Sequence, residues 1–444
     1  MGATKNSHPN ELKRHIGLAA LTLYGVGDIL GSGIYGLVGK AAGQMGNAVW
    51  LAFLASMIAA GLTGLSYASL GSRYPKAGGA SYITDRAYKK AWLAYAVGLA
   101  VLASGLTSMA TATRVFSGYF QGLISTEIPL FVIIVGFALA LTAIVMWGIR
   151  ESMWANAVCT VIELFGLAIV ILFGMSFIGS QDYFDATTMA NPSGELSASL
   201  ILTGAVLTFY SFVGFEDMLN VAEEVREPQK TLPRGLILAV VISASIYMSI
   251  SIIAVSVVPA AELADSREPL VDVVRRAAPW FPTSIYSVIA MFAVANTALL
   301  NFIMGSRLVY GMSKQGLLPS PLAKVHPRRH TPHRAAGLLL LVLLALALSG
   351  DISSLAKSTS VLLLMCFVIV NTSLAVLKLR KDEAQGSFEV PLLVPILGAL
   401  VCGALLLNAQ GPELKTAGII LAVIAALYLF VRPSASAVKS FEGS

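Results

Sequence analysis

Residues 25–36 read GVGDILGSGIYG, and residues 209–225 read FYSFVGFEDMLNVAEEV. Both stretches sit in apolar runs long enough to cross a bilayer, and neither suits an uninterrupted helix. Glycine in a helix interior costs roughly 1 kcal/mol relative to alanine, yet the first stretch places it at Gly25, Gly27, Gly31, Gly33 and Gly36. The plain reading of such a run is close helix packing, since small residues four apart let membrane helices approach. The triplet Gly31, Ser32, Gly33 adds consecutive flexibility and a hydroxyl. In the second stretch Gly214 stands just ahead of Glu216 and Asp217. Adjacent carboxylates at membrane depth are costly unless solvated, paired or protonated. The plain alternative is a pair at the inner end of a short helix.

The rest of the chain sets these stretches in a membrane. It has 444 residues, 56% hydrophobic and only 12% charged, with a mean hydropathy of +0.77, outside the range of soluble domains. A spanning helix needs about 20 apolar residues, so about twelve spans use roughly 240 positions and leave no room for a separate globular domain. The apolar runs predict spans at 16–39, 47–70, 91–120, 129–148, 152–179, 197–222, 234–258, 284–311, 335–350, 356–377, 391–408 and 414–431. The third is long enough to tilt. The ninth is short, and the eleventh contains Pro395.

Charge sets the expected orientation. Most Lys and Arg fall on the N-terminal side of the alternating spans, which predicts cytoplasmic termini, with Arg114 and Arg307 left inside or at the ends of spans. The net charge of +6 therefore reads as membrane orientation, not as a nucleic-acid surface. Cys159, Cys366 and Cys402 lie in apolar runs and predict neither disulfides nor a metal site. The first apolar run contains Asp28 and lacks a convincing cleavage site, so it reads as a retained helix and not a signal peptide. The Asn-x-Ser/Thr match at Asn371 falls inside a span and is no glycosylation site, in keeping with a bacterial inner membrane.

Spans 1 and 6 open two consecutive groups of five, and they are the ones with midpoint interruptions. That is the pattern of an inverted-repeat transporter. It divides the chain into a tail at 1–15, a transporter domain at 16–432 and a tail at 433–444. Within the domain the repeats cover about 16–179 and 197–377, with spans 11 and 12 appended at about 391–431. A broken helix exposes N–H groups where its second half starts and carbonyls where its first half ends, giving opposite partial charges beside one cavity. A zwitterion fits that arrangement.

Three motifs, GDILGSGIYG, FYSFVGFEDMLNVAEEVREPQKTLPRG and GSRLVYGMSKQGLLP, with RYPKAGGASY after span 2, resemble the amino acid-polyamine-organocation transporter superfamily over nearly the whole chain. The resemblance implies an all-α fold of five plus five helices with two appended, and alternating access around a midplane site. It implies that a substrate carboxylate meets Ser32 and the backbone of Gly31 and Gly33, while carbonyls of Ile29, Tyr210 and Val213 receive the amine. Tyr210 is an expected aromatic gate, Phe212 and Phe215 shape the pocket, and Asn301 senses the side chain or bonds a neighbouring helix. Asp28 stands where many relatives have a neutral polar residue, which admits a cationic substrate or a coupling ion; a buried pair with Arg307 is the alternative. Glu163 lies near the place where some sodium-independent relatives carry a lysine, so lysine-specific coupling does not transfer. An isolated carboxyl in apolar surroundings favours its neutral form, which makes Glu163 a candidate proton site, with Thr297 a polar neighbour and Glu216 a further candidate.

Other classes find little support. His8, His15, His326, His330 and His333 all lie outside the spans, and HPRRHTPH at 326–333 has no nearby Cys, Asp or Glu to complete a zinc site. No HExxH helix, GxSxG elbow or P-loop occurs, so neither a membrane enzyme nor an ATP-driven motor is expected, and no cofactor or resident metal. Matching breaks favour alternating access over a channel pore. A six-plus-six major-facilitator repeat would place them elsewhere, and a sensor would need an output domain. The expectation is a secondary transporter of a small amino acid or related amine, linked to protons, with a polyamine or cationic amino acid exchanger as the alternative.

Overall fold

The computed structural model describes residues 16–75, 79–124, 128–147, 149–314, 317–326, 331–383 and 385–431; the two expected tails lie outside them. The helices are α1 (Leu18–Ile29), α2 (Ser32–Met45), α3 (Val49–Arg73), α4 (Gly79–Tyr88), α5 (Ala91–Ile124), α6 (Leu130–Trp147), α7 (Ile149–Gly174), α8 (Ala198–Thr208) and α9 (Pro228–Val257). They continue with α10 (Ala260–Asp265), α11 (Pro269–Ala277), α12 (Thr283–Lys314), α13 (His333–Ser349), α14 (Ile352–Leu379), α15 (Leu393–Leu407) and α16 (Gly411–Val431). Among the described residues nine helical stretches are long and apolar enough to cross a membrane. The first, Leu18–Arg73, runs for 56 residues and holds the first two spans. The shorter α13 and α15 supply spans 9 and 11, so the twelve expected passes are present in an all-α, polytopic chain. Cys159, Cys366 and Cys402 are free thiols.

Three helices fall in the connections between the expected spans. α4, α10 and α11 are 10, 6 and 9 residues long, too short to span. α11 shows why it forms: Pro269 opens it, Leu270, Val271, Val273 and Val274 are buried, and Asp272, Arg275 and Arg276 take the other face.

Packing follows the two groups of five. α3 lies along α9 and α5 lies along α12, which pairs span 2 with span 7 and span 3 with span 8, the equivalent members of each group. Equivalent helices meet in this way around a pseudo-two-fold axis. The start of α1 is also tied to the sixth span, because Ile16 pairs with Val225 and the Arg226 N–H donates to the Ile16 carbonyl at 2.9 Å.

The connection after α14 straps four elements together. Glu389 accepts a fork of hydrogen bonds from Arg73 at the end of α3, 2.6 and 2.8 Å, and one from Lys378 on α14. Glu383 accepts from Tyr74 and from Arg86 on α4, and Ser387 donates to the Gln229 carbonyl at the start of α9. Burial alone would raise Glu389, but the bonds from Arg73, Lys378 and the Gly386 N–H outweigh it and hold the carboxyl at about 2. A carboxyl lowered in the folded state stabilises the fold fully above its ordinary value of 4.5. That contribution is lost only as pH falls toward about 2. Glu389→Gln leaves the Arg73 side chain, 5% exposed, without its anion and should cost about 1–3 kcal/mol, read as a lower melting midpoint in detergent. Glu227→Gln breaks only the exposed pair with Lys230 and should change stability by less than about 0.5 kcal/mol. Equal losses from both variants would show that the strap contributes nothing special.

Candidate functional site

The two expected interruptions share one geometry. α1 ends at Ile29, Leu30 is extended (ψ 171°), Gly31 takes φ 121°, and α2 begins at Ser32. In the sixth span α8 passes through a 3-10 turn, Phe209–Phe212, to an extended Val213 (ψ 139°) and then Gly214 at φ 125°, before the 3-10 segment Phe215–Glu224. Each break is thus an extended apolar residue followed by a positive-φ glycine, a conformation open to glycine and strained for other residues.

The breaks cross each other at two points where only glycine fits. A Cβ on Gly33 would lie 2.6 Å from Ser211 Cα, and one on Gly214 would lie 2.6 Å from the Asp28 carbonyl oxygen. The sequence leads one to expect Gly33 at the substrate carboxylate and Gly214 only as an interruption. Gly33 and Gly214 are the points at which one broken helix rests on the backbone of the other.

A cavity of about 330 Å³ runs from this crossing, at Ser32, Gly33 and Tyr210, toward Gly79 on α4 and Met312 on α12. Of the expected site residues, Asp28, Ile29, Ser32, Gly33, Tyr210, Val213, Glu216, Thr297 and Asn301 line it. Gly31, Phe212 and Glu163 are not in its wall.

Each end of the breaks already has partners. The Ser32 N–H, first in α2, donates to Thr297 Oγ1 at 3.2 Å, so Thr297 caps the helix. The Ser32 hydroxyl meets the Tyr210 hydroxyl at 2.7 Å. The Ile29 carbonyl accepts from the Tyr247 hydroxyl, and the Tyr210 carbonyl from the Val213 N–H. A carbonyl has two lone pairs, so both keep capacity for a further donor. Glu216 turns back to accept the Gly214 N–H at 2.9 Å, and Asp217 accepts from Asn220. Asn301 donates to the Thr297 carbonyl at 2.9 Å. Asp28 Oδ2 is buried and has no hydrogen-bond partner among the described residues. Arg307 lines the same cavity.

Phe212 packs edge-on against Tyr247, with ring centroids 5.1 Å apart. Glu163 lies on α7, fully buried, and neither carboxylate oxygen has a hydrogen-bond partner among the described residues. The Tyr35 hydroxyl donates to the Glu163 main-chain carbonyl at 3.1 Å.

α5 adds a wall that none of the expected site residues marks. Ser104, Gly105 and Ser108 line the cavity, and the Ser108 hydroxyl is 3.1 Å from the Tyr210 hydroxyl. A signal was present: Ser104, Thr107, Ser108 and Thr111 recur at helical spacing within an apolar span, which marks one polar stripe.

An all-helical membrane chain whose two broken helices cross at a buried cavity is built as a transporter and not as an enzyme. The sequence profile of the amino acid permease family matches residues 16–431, and the chain belongs to that family. It is 26% identical to a branched-chain amino acid permease of Bacillus subtilis, over 90% of this chain and 89% of the relative. It is 27% identical to a methylthioribose transporter of the same organism, over 89% and 88%. Against cationic amino acid transporter 4 of Mus musculus the identity is 31%, over 86% of this chain and 62% of the mouse protein.

Proposed function

We propose that this chain carries a small amino acid across a bacterial inner membrane by alternating access, with both termini cytoplasmic and with protons as the coupling ion. The observation that carries the reading is the meeting of the start of α2 and the end of α1 at one cavity wall. The first offers the Ser32 hydroxyl and the first-turn N–H groups after that of Ser32, which Thr297 already holds, to a carboxylate; the second offers the Ile29 carbonyl to an ammonium group. Gly33 supplies backbone on the carboxylate side, with Gly31 behind it as the hinge of the break, and Tyr210 and Val213 supply carbonyls on the amine side.

A cationic amino acid is the second reading, favoured by the charges in the wall. Asp28, Glu216 and Asp217 face the cavity with Arg307 as their counterpart in the lining. The relatives' names point to branched-chain amino acids, to methylthioribose and to cationic amino acids.

Thermal-shift measurements with L-leucine, L-arginine and putrescine separate these readings, because a ligand that binds the native state raises its midpoint. An amino acid should raise it, and Ser32→Ala should weaken that binding about 10- to 100-fold, the worth of a hydrogen bond to a charged group. A shift with putrescine alone would turn the protein into an amine carrier. Unchanged amino acid affinity in Ser32→Ala would move the carboxylate elsewhere.

A further inference from the structure

Tyr210 ties together three elements that the substrate site also joins. Its hydroxyl donates to the Ser108 carbonyl on α5 at 3.1 Å. Its lone pairs face the Ser108 hydroxyl at 3.1 Å and the Ser32 hydroxyl at 2.7 Å. Ser32, Ser108 and Tyr210 are 1%, 2% and 3% exposed. A phenol has one proton to give and two lone pairs to fill, so with its proton on Ser108 it accepts from both serines, and every polar hydrogen in the clasp is used.

We propose that the Tyr210 hydroxyl stands in for the substrate carboxylate, receiving the Ser32 proton whenever no amino acid does. The proposal rests on the reading of Ser32 as the carboxylate contact. Two consequences follow from the hydrogen-bond count. The Ser32 hydroxyl has one proton, so the phenol and a carboxylate compete for it, and the clasp weakens substrate binding. The clasp also lets the carrier change sides unloaded. An occluded crossing that buried Ser32 with nothing to receive its proton would carry the penalty of an unmade hydrogen bond, and Tyr210 removes that penalty. Tyr210 is therefore a positioning residue that sets the balance between net transport and exchange.

Tyr210→Phe keeps the ring and deletes the acceptor. Purified protein should then bind L-leucine or L-arginine about two- to tenfold more tightly, the range one net hydrogen bond spans. In proteoliposomes, uptake of the same radiolabelled amino acids into vesicles without internal amino acid should fall by a similar factor relative to exchange into preloaded vesicles. Ser108→Ala loosens the clasp without touching Ser32 and should move both quantities the same way by less, so the test survives if the phenylalanine variant does not fold. Unchanged or weaker binding, or equal loss of net uptake and exchange, overturns the clasp. Ser32→Ala with undiminished affinity instead overturns the carboxylate reading on which the clasp rests, so the two failures are told apart.

Discussion

Gly33→Val is expected to abolish substrate binding and transport while the protein remains folded. The added Cβ would sit 2.6 Å from Ser211 Cα and 2.9 Å from Ser211 Cβ, distances that side-chain rotation cannot relieve because the obstacle is backbone. The crossing must open, and with it the alignment of Ser32 with Tyr210 and of Thr297 with the first N–H of α2. Overpacking of this kind costs about 1–3 kcal/mol, spread over a chain of many packed helices, which lowers a melting midpoint without erasing it. Gly214→Ala should do the same from the other side. Its Cβ would meet the Asp28 carbonyl at 2.6 Å, and φ 125° adds backbone strain. The checks are size-exclusion profile and melting midpoint for folding, then binding of L-leucine and L-arginine. A folded Gly33→Val protein with undiminished affinity would mean that the crossing does not build the site.

The same two glycines show how far the sequence could be read. The interruptions were legible because their cause is local: glycine beside serine, and glycine beside carboxylates, inside runs otherwise fit for a bilayer. The apolar passes were legible for a similar reason, since a span is an average over about 20 residues. That average also hid α4, α10 and α11, whose polar and apolar residues cancel over a short amphipathic helix. What the breaks touch was not legible. Tyr247 reaches Ile29 across 218 positions and Thr297 reaches Ser32 across 265, and such pairings depend on how the helices rotate against each other. The sequence suggests Thr297 as a polar neighbour of a coupling site, and the fold makes it the cap of α2. The Ser104 to Thr111 stripe on α5 was visible as a pattern but had no partner to give it meaning until Tyr210 was placed.

Glu163→Gln should flatten the pH dependence of uptake while leaving substrate binding largely intact. The side chain is fully buried, and no donor compensates either oxygen among the described residues. An ionised carboxylate so placed is expensive, and a proton removes most of the cost. Tyr35 donates its hydroxyl to the Glu163 main-chain carbonyl at 3.1 Å, and Tyr247 donates to the Ile29 carbonyl at the end of α1. Protonation therefore favours the arrangement described here, and deprotonation favours any arrangement that gives the carboxylate water or a donor. A population shift of that kind makes uptake follow pH, by at most about tenfold per pH unit for one titrating group. Glutamine keeps the shape of the protonated form and removes the titration, so the wild-type slope should disappear. Proteoliposomes with imposed pH gradients measure it directly. If Glu163 only packs α7 against its neighbours, the variant will shift the melting midpoint and keep the full gradient response, and the coupling proton must then be sought at Asp28, whose Oδ2 has no hydrogen-bond partner among the described residues, or at Glu216.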